Sequence, residues 1–228
     1  MLDKRRLCDE LMDDPALDAT IYGAVLRDLS QVNRLTLAYR PTLNFLQRAI
    51  GDRQSFTLLD VGFGCGDTLR VIARWAKKRG ISAHLVGIDL NSRSAGVARE
   101  ATPADYPIEY RTGDYADLAG ENFDIVISNL VAHHMTQQQL LEFLRFMESE
   151  ARAGWFINDL HRHTLSYVGY PWLARIMRWH PIVRSDGQTS IARSFRPDDW
   201  QRLLGDAGIT AARIERFFPF RLCVSRTR

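Results

Sequence analysis

Five stretches of this chain carry side chains that could do chemistry, and each lies where a strand-like run gives way to a turn. The first is Leu59-Asp60-Val61-Gly62-Phe63-Gly64-Cys65-Gly66-Asp67. Glycines at alternate positions suit a backbone that takes positive φ, or a ligand that must approach with no Cβ in the way. The helix expected from Asp67 onward starts with unpaired N–H groups, so a small polar ligand cradled there is the natural reading. The dinucleotide fingerprint is G-x-G-x-x-G. Here the pattern is G-x-G-x-G, and Asp67 stands where the last glycine would be. An acid at that point opposes a pyrophosphate but not a ligand whose near end carries an ammonium group.

The other four stretches supply acids and histidines. Asp89, with Leu90 after it, lies 23 residues beyond Gly66, close to where a ribose-binding acid is expected in a doubly wound sheet. Its carboxylate can accept two hydrogen bonds, matching vicinal hydroxyls. The bland alternative is an aspartate that caps the next helix. Gly113-Asp114-Tyr115 follows a third short strand, and Val131-Ala132-His133-His134-Met135 follows a fourth. Asn158-Asp159-Leu160-His161-Arg162-His163 ends a fifth. An unperturbed histidine titrates near pH ~6.5 and accepts a proton at neutral pH. The base candidates are His134, preferred, then His161, with His133 also in the set and Asp159 as an orienting carboxylate. Each could instead be a satisfied structural histidine. His133, His134, His161 and His163 could in principle gather around zinc. Adjacent residues rarely ligate one ion, however, and the helical His/Glu spacings of zinc enzymes are absent, so no metal is expected.

The elements that must position these groups alternate strand and helix from residue 56 onward, the pattern of a parallel sheet covered on both faces. Strands are expected at 56–61, 84–90, 108–111, 123–130 and 155–160. A helix over 67–79 ends in Lys77, Lys78 and Arg79 before Gly80, a good stop signal. Thr136 with Gln139 forms a plausible capping box for a helix reaching about Ser149. Open α/β sheets bind ligands in the crevice at the C-terminal strand ends, which is where the acids and histidines fall. Residues 1–50 read as two or three short helices punctuated by Pro15 and Pro41, with Leu26, Leu29, Val32 and Leu35 at three-residue steps; they form either a structural layer or a lid. Residues 164–196 break the alternation and read as an insertion capping the site. From Arg162 to Arg196 there are six arginines against one acid, Asp186. Trp172, Ile176 and Trp179 are expected on one helical face, which suits an apolar pocket or contact with a membrane surface or carrier protein. Pro197-Asp198-Asp199-Trp200 opens a last helix, and two strands follow, at 214–218 and 220–225.

Composition narrows the class. At 228 residues, with 46% hydrophobic and 25% charged side chains, the chain suits one domain with a modest extension and a sizeable core. The formal net charge of +3 is too small to argue for nucleic acid. Three well-separated cysteines form no metal-type pair. With no apolar run of membrane-helix length and no signal-peptide core in MLDKRRLCDELMDD, a cytoplasmic protein with reduced thiols is expected.

In wording and spacing, 59–66 closely resembles the first motif of class I S-adenosylmethionine-dependent methyltransferases, and the class-level resemblance covers about residues 45–228. It implies a Rossmann-like α/β fold: a doubly wound, mostly parallel seven-stranded sheet with an antiparallel last strand. It divides the chain into a helical extension or lid (1–50) and a methyltransferase domain (51–228) with a substrate-capping insertion (164–196). It implies donor-binding roles for Asp60, Gly62, Gly64, Gly66, Asp89, Leu90, Asp114, Tyr115 and Asn129, with Asp114 meeting the adenine amino group. Nucleobase amine methylation in this fold commonly uses an Asn/Asp-Pro-Pro-aromatic turn, where this chain has Asn129-Leu130-Val131-Ala132. Cytosine C5 methylation needs a nucleophilic cysteine near there, and none lies between Cys65 and Cys223. What remains is a histidine-lined cleft suited to deprotonating a phenol or enol hydroxyl. The chain also resembles the ubiquinone/menaquinone-biosynthesis branch. Through "LMDDPALD", "NDLHR" and "SFRP", it is similar to methyltransferases found with bacterial type III polyketide synthases. That implies O-methylation of a polyketide, phenolic lipid or quinol-like small molecule, with C-methylation close behind. Two other readings stay open: an NAD(P)-dependent oxidoreductase, and a binding module that uses the ligand as a signal. The oligomeric state is not specified.

Overall fold

The computed structural model describes residues 2–228. Among these residues, seven strands form one sheet: β1 (Ser55–Val61), β2 (Ser82–Asp89), β3 (Ile108–Thr112), β4 (Ile125–Asn129), β5 (Gly154–Leu160), β6 (Arg213–Phe217) and β7 (Arg221–Thr227). The strand order is β3-β2-β1-β4-β5-β7-β6. All neighbouring pairs are parallel except those made by β7, which runs antiparallel to both β5 and β6. This is the expected doubly wound sheet with its last strand reversed. The order changes direction between β1 and β4, so their C-terminal ends open a crevice.

Among the described residues, eight α-helices accompany the sheet: α1 (Ala19–Leu35), α2 (Tyr39–Ile50), α3 (Asp67–Arg79), α4 (Ser92–Glu100), α5 (Gln137–Glu150), α6 (Thr164–Ile176), α7 (Pro181–Arg193) and α8 (Pro197–Asp206). The local signals explain several boundaries. Left-handed Gly66 precedes α3, and left-handed Gly80 ends it after Lys77, Lys78 and Arg79, where cations complement the helix dipole. Thr136 and Gln139 make the reciprocal capping box of α5. Two large buried clusters contain residues of the central strands. One includes Leu59, Val126 and Ile157 with Phe143 and Met147 of α5, and the other Leu58, Leu85 and Ile127 with Phe45 of α2 and Leu69 and Ile72 of α3.

The N-terminal segment is less helical than its sequence suggests. Residues 2–18 hold only a 3-10 turn, Leu11–Asp13. They form a strap tied to α7: the Arg6 N–H donates to the Ala192 carbonyl, and the Leu11 and Met12 N–H groups donate to the two oxygens of Asp186 (3.0 and 2.9 Å). Trp172, Ile176 and Trp179 do not share a face. Trp179 lies past the end of α6, buried against Tyr170, whereas Trp172 and Ile176 stand exposed. Of the six arginines, Arg162 and Arg193 are buried and donate to backbone carbonyls. No described helix is long and apolar enough to cross a membrane, and all three cysteines are free.

Candidate active site

A single cavity of about 720 Å³ runs from the glycine turn to the histidines. At one end, β1 delivers Asp60 into the turn. Gly62, Gly64 and Gly66 all take positive φ, the conformation that motivates glycine there. A Cβ on Gly62 would strike the Val131 side chain, and one on Gly66 the Tyr110 ring. Asp89 closes the turn, accepting from the Gly64 N–H (2.9 Å) and the Asn91 N–H (2.8 Å). Burial lifts its carboxyl above the usual aspartate range, against the pull of those two donors.

Asp67 plays a different part from the one its position suggests. Its Oδ2 accepts from the Tyr39 hydroxyl (2.8 Å) and Asn33 Nδ2 (3.0 Å), and its Oδ1 from the Thr68 N–H (2.9 Å). It therefore clasps α1 and the start of α2 onto the glycine turn. The acid with free capacity is Asp60, whose Oδ1 is buried without a hydrogen-bond partner. Burial, with Asp67 nearby, raises its pKa well above the usual range. Asn129 Nδ2 and Arg221 Nε and Nη1 are also buried and unpartnered, and both residues line the same cavity. A ligand end that carries an ammonium and a carboxylate would satisfy an orphaned acid and an orphaned guanidinium together. The amino-acid end of S-adenosylmethionine is such a group, so the donor set fits it. Leu90 and Tyr115 line the cavity as well. Asp114 does not: it is exposed and accepts from the Ala116 N–H (3.0 Å), capping the 3-10 turn Tyr115–Leu118. Its neighbours Gly113 and Tyr115 take the wall position instead.

The far end collects the histidines. A 3-10 turn, Ala132–His134, follows β4 and sets the two imidazoles with ring centroids 4.3 Å apart. His133 is buried; its Nδ1 lies 2.7 Å from Asp159 Oδ1, and its N–H donates to Asp159 Oδ2 (2.9 Å). Burial would raise the Asp159 carboxyl, but His133 and the backbone donors hold it below the usual range. Asp159 is thus an orienting carboxylate, for His133. His134 is partly open to the cavity and pairs through Nδ1 with Asp13 Oδ2 (3.0 Å). The strap brings in Glu10, which no local pattern singled out. It is buried, accepts from the Ser190 hydroxyl (2.8 Å), and is pushed up to about 7 by burial, partly offset by His134 and Ser190. Arg5 and Arg193 donate to the carbonyls of the histidine turn, fixing its backbone.

His161 lines the cavity near Pro219 and Phe220, apart from that cluster. Burial, with Arg216 and other cations nearby, lowers its pKa to about 4, so it is neutral at physiological pH. His163 caps α6 through the Leu165 N–H. The four histidines therefore form two pairs rather than one cluster. Between the two ends the walls are apolar: Val25, Leu26, Leu29 and Val32 from α1, Leu165 and Leu173 from α6. Leu35, the next in the three-residue series, is exposed, because three-residue steps drift around a helix of 3.6 residues per turn.

The comparisons with known proteins agree with this geometry. Residues 58–154 match the methyltransferase domain family. No curated protein matches the chain in sequence. Among solved structures, the chain is similar to a magnesium protoporphyrin IX methyltransferase from Synechocystis PCC 6803 with bound S-adenosylhomocysteine. The identity is 18% and the TM-score 0.57, over 95% of this chain and 91% of that one. It is also similar to an S-adenosylmethionine-dependent methyltransferase from Aquifex aeolicus (18% identity, TM-score 0.65, 92% and 97% covered). A third is the plantazolicin methyltransferase BpumL in complex with S-adenosylhomocysteine (14% identity, TM-score 0.67, 95% and 92% covered). Residues 58–154 thus match a methyltransferase domain, and the chain around them has the fold seen in S-adenosylmethionine-dependent methyltransferases.

Proposed function

We propose that this chain transfers the methyl group of S-adenosylmethionine to a phenol- or enol-type hydroxyl of a small, apolar acceptor, such as a polyketide, phenolic lipid or quinol. The observation that carries this reading is the polar corner of Glu10, His133 and His134, reached from the glycine turn through a cavity whose middle is walled by Val25, Leu26, Leu29, Val32, Leu165 and Leu173. Asp60 and Arg221 would hold the amino-acid end of the donor and Asp89 its ribose. Bound there, S-adenosylmethionine supplies a methyl group on a positively charged sulfur, which is already a strong electrophile. The protein's own task is then alignment and removal of the acceptor's proton. His134, held through Nδ1 by Asp13, presents Nε2 as the accepting atom; His133 and Asp159 fix the turn behind it. The walls of α1, α6 and α7 exclude water and select an apolar acceptor. C-methylation of an enol carbon would use the same deprotonated acceptor. The test is a panel of phenols, quinols and pyrones assayed for methyl transfer, each beside its hydroxyl-capped analogue. Transfer only to the uncapped members supports the reading, and indifference to capping contradicts it.

We also propose that the protein works in the cytoplasm at an anionic membrane surface that presents the acceptor. α6 exposes Leu165, Val168, Trp172 and Ile176 beside exposed Arg175 and Arg178, and Leu165 also lines the cavity. An apolar stripe flanked by arginines suits such a surface. Trp172 is the one exposed tryptophan; Trp75, Trp155, Trp179 and Trp200 are buried. A blue shift of tryptophan emission on adding phosphatidylglycerol vesicles, absent with phosphatidylcholine and in Trp172→Ser, is expected. No shift would overturn membrane docking and favour delivery by a carrier protein.

A further inference from the structure

The two adjacent histidines are held in the same way. His133 Nδ1 faces Asp159 at 2.7 Å, and His134 Nδ1 faces Asp13 at 3.0 Å. An ionised carboxylate only accepts, so each Nδ1 donates, and in a neutral ring each Nε2 keeps its lone pair. Both Nε2 atoms face Glu10: His133 Nε2 is 3.7 Å from Oε1, and His134 Nε2 is 3.8 Å from Oε2. These separations are too long for hydrogen bonds. One ligand atom from each of the three residues lies within 4.8 Å of the others. Ligand atoms about 2.0–2.2 Å from a shared ion sit roughly 3–3.5 Å apart, so the two Glu10–histidine separations need to close by only a few tenths of an ångström, and the widest pair by up to about 1 Å.

We propose that Glu10, His133 and His134 form a divalent metal site at the acceptor end of the cavity. Neighbouring histidines rarely share one ion, but here the third ligand comes from the strap on the other side and both Nε2 atoms converge on it. Ligating histidines commonly donate their other ring N–H to a carboxylate, which fixes the tautomer and raises basicity. Asp159 and Asp13 provide that for both rings. The local charge also suits a cation: Glu10, Asp13, Asp159 and Asp186 stand against Arg5 and Arg193, whose donors are spent on carbonyls of the histidine turn and of α7 and the strap. Two imidazoles and one carboxylate suit zinc, iron(II) or another first-row ion, and leave coordination positions open toward the cavity. A hydroxyl oxygen is a fitting ligand there, so with the ion bound the site would bind the acceptor and favour its ionised form, which takes the place of proton acceptance at His134 Nε2. That last step rests on the proposed methyl transfer; the metal site itself does not.

Chelator-treated full-length protein titrated with cobalt(II) tests it, followed by visible absorption and by calorimetry, with zinc(II) as competitor. One equivalent per chain is expected, displaced by zinc. Glu10→Gln and His134→Ala should lose it, and Asp13→Asn should bind about 10–100-fold more weakly. His161→Ala, from the other histidine pair, should bind as the wild type does. Binding of S-adenosylhomocysteine by each variant reports that it is folded. Substoichiometric or zinc-insensitive cobalt binding, or equal binding by folded Glu10→Gln, overturns the site even if methyl transfer proceeds. Stoichiometric binding without transfer to any hydroxyl would leave the site standing and remove the acceptor reading.

Discussion

The two ends of the cavity are built in opposite ways. The donor end is mostly local: Asp60, the three glycines and the start of α3 lie within a few residues, and Asp89 joins from the adjacent strand β2. The acceptor end is assembled over long distances. Glu10 and Asp13 come from the strap, His133 and His134 from the turn after β4, Asp159 from β5 and Ser190 from α7. The core of the donor end therefore needs only a strand, a turn and a helix in the right order, with Asp89 and Arg221 added from β2 and β7. The acceptor end needs the whole fold in place before its groups meet, and its identity can change without disturbing the sheet.

If the ends are separable, substitutions should divide cleanly. The largest effect is expected from His134→Ala, which should lower turnover by about 10²–10⁴-fold while leaving S-adenosylhomocysteine affinity within about twofold, as read by calorimetry. Unchanged turnover would remove His134 from the reaction. Asp89→Ala should show the converse. Losing a carboxylate that accepts charge-assisted hydrogen bonds costs about 1.5–3 kcal/mol, hence roughly 10–150-fold in S-adenosylhomocysteine affinity, and Tm should fall as well because the Gly64 and Asn91 N–H groups lose their acceptor. Arg221→Met should weaken S-adenosylhomocysteine by about tenfold, on the order of one lost charge-assisted bond, but leave 5′-methylthioadenosine, which lacks the amino-acid end, unaffected. Equal weakening of both would move Arg221 to the acceptor side.

Smaller effects should sharpen the contrast. Asp186→Asn removes the carboxylate that accepts from Leu11 and Met12. It should raise the acceptor KM several-fold and cost about 1–2 kcal/mol of stability, without changing donor affinity. His161 gives the smallest expectation. Its folded pKa of about 4 lies below the unfolded value of about 6.5, so the unfolded chain takes up its proton first. Its contribution to stability is present above pH ~6.5 and is lost as pH falls from there toward about 4. His161→Asn should flatten the decline of Tm across that window, modestly because the ring is half-exposed.

The same contrast explains what the sequence made legible. Strand and helix alternation, the α3 boundaries and the Thr136 capping box depend on neighbours in the chain, and they stand in the structure as read. The antiparallel β7 came through family resemblance, since nothing local to 221–227 states its direction. Asp67 argues in the sequence against a pyrophosphate, but its partners Asn33 and Tyr39 lie in helices whose docking the sequence does not reveal. Glu10 left no local signal, because its meaning depends on residues more than 120 positions away. Asp186 did leave one, as a lone acid among arginines, and its task is to hold the strap that delivers Glu10. Arg221 went unread, because the burial of its strand, which makes a charge there telling, is seen only in the fold.

The central claim is that the glycine turn holds S-adenosylmethionine rather than a dinucleotide. Calorimetric titration of the purified chain with S-adenosylhomocysteine, beside NADH under the same conditions, tests it most directly. One-to-one binding of S-adenosylhomocysteine with no heat from NADH is the predicted result. Tight NADH binding without S-adenosylhomocysteine binding would contradict the account.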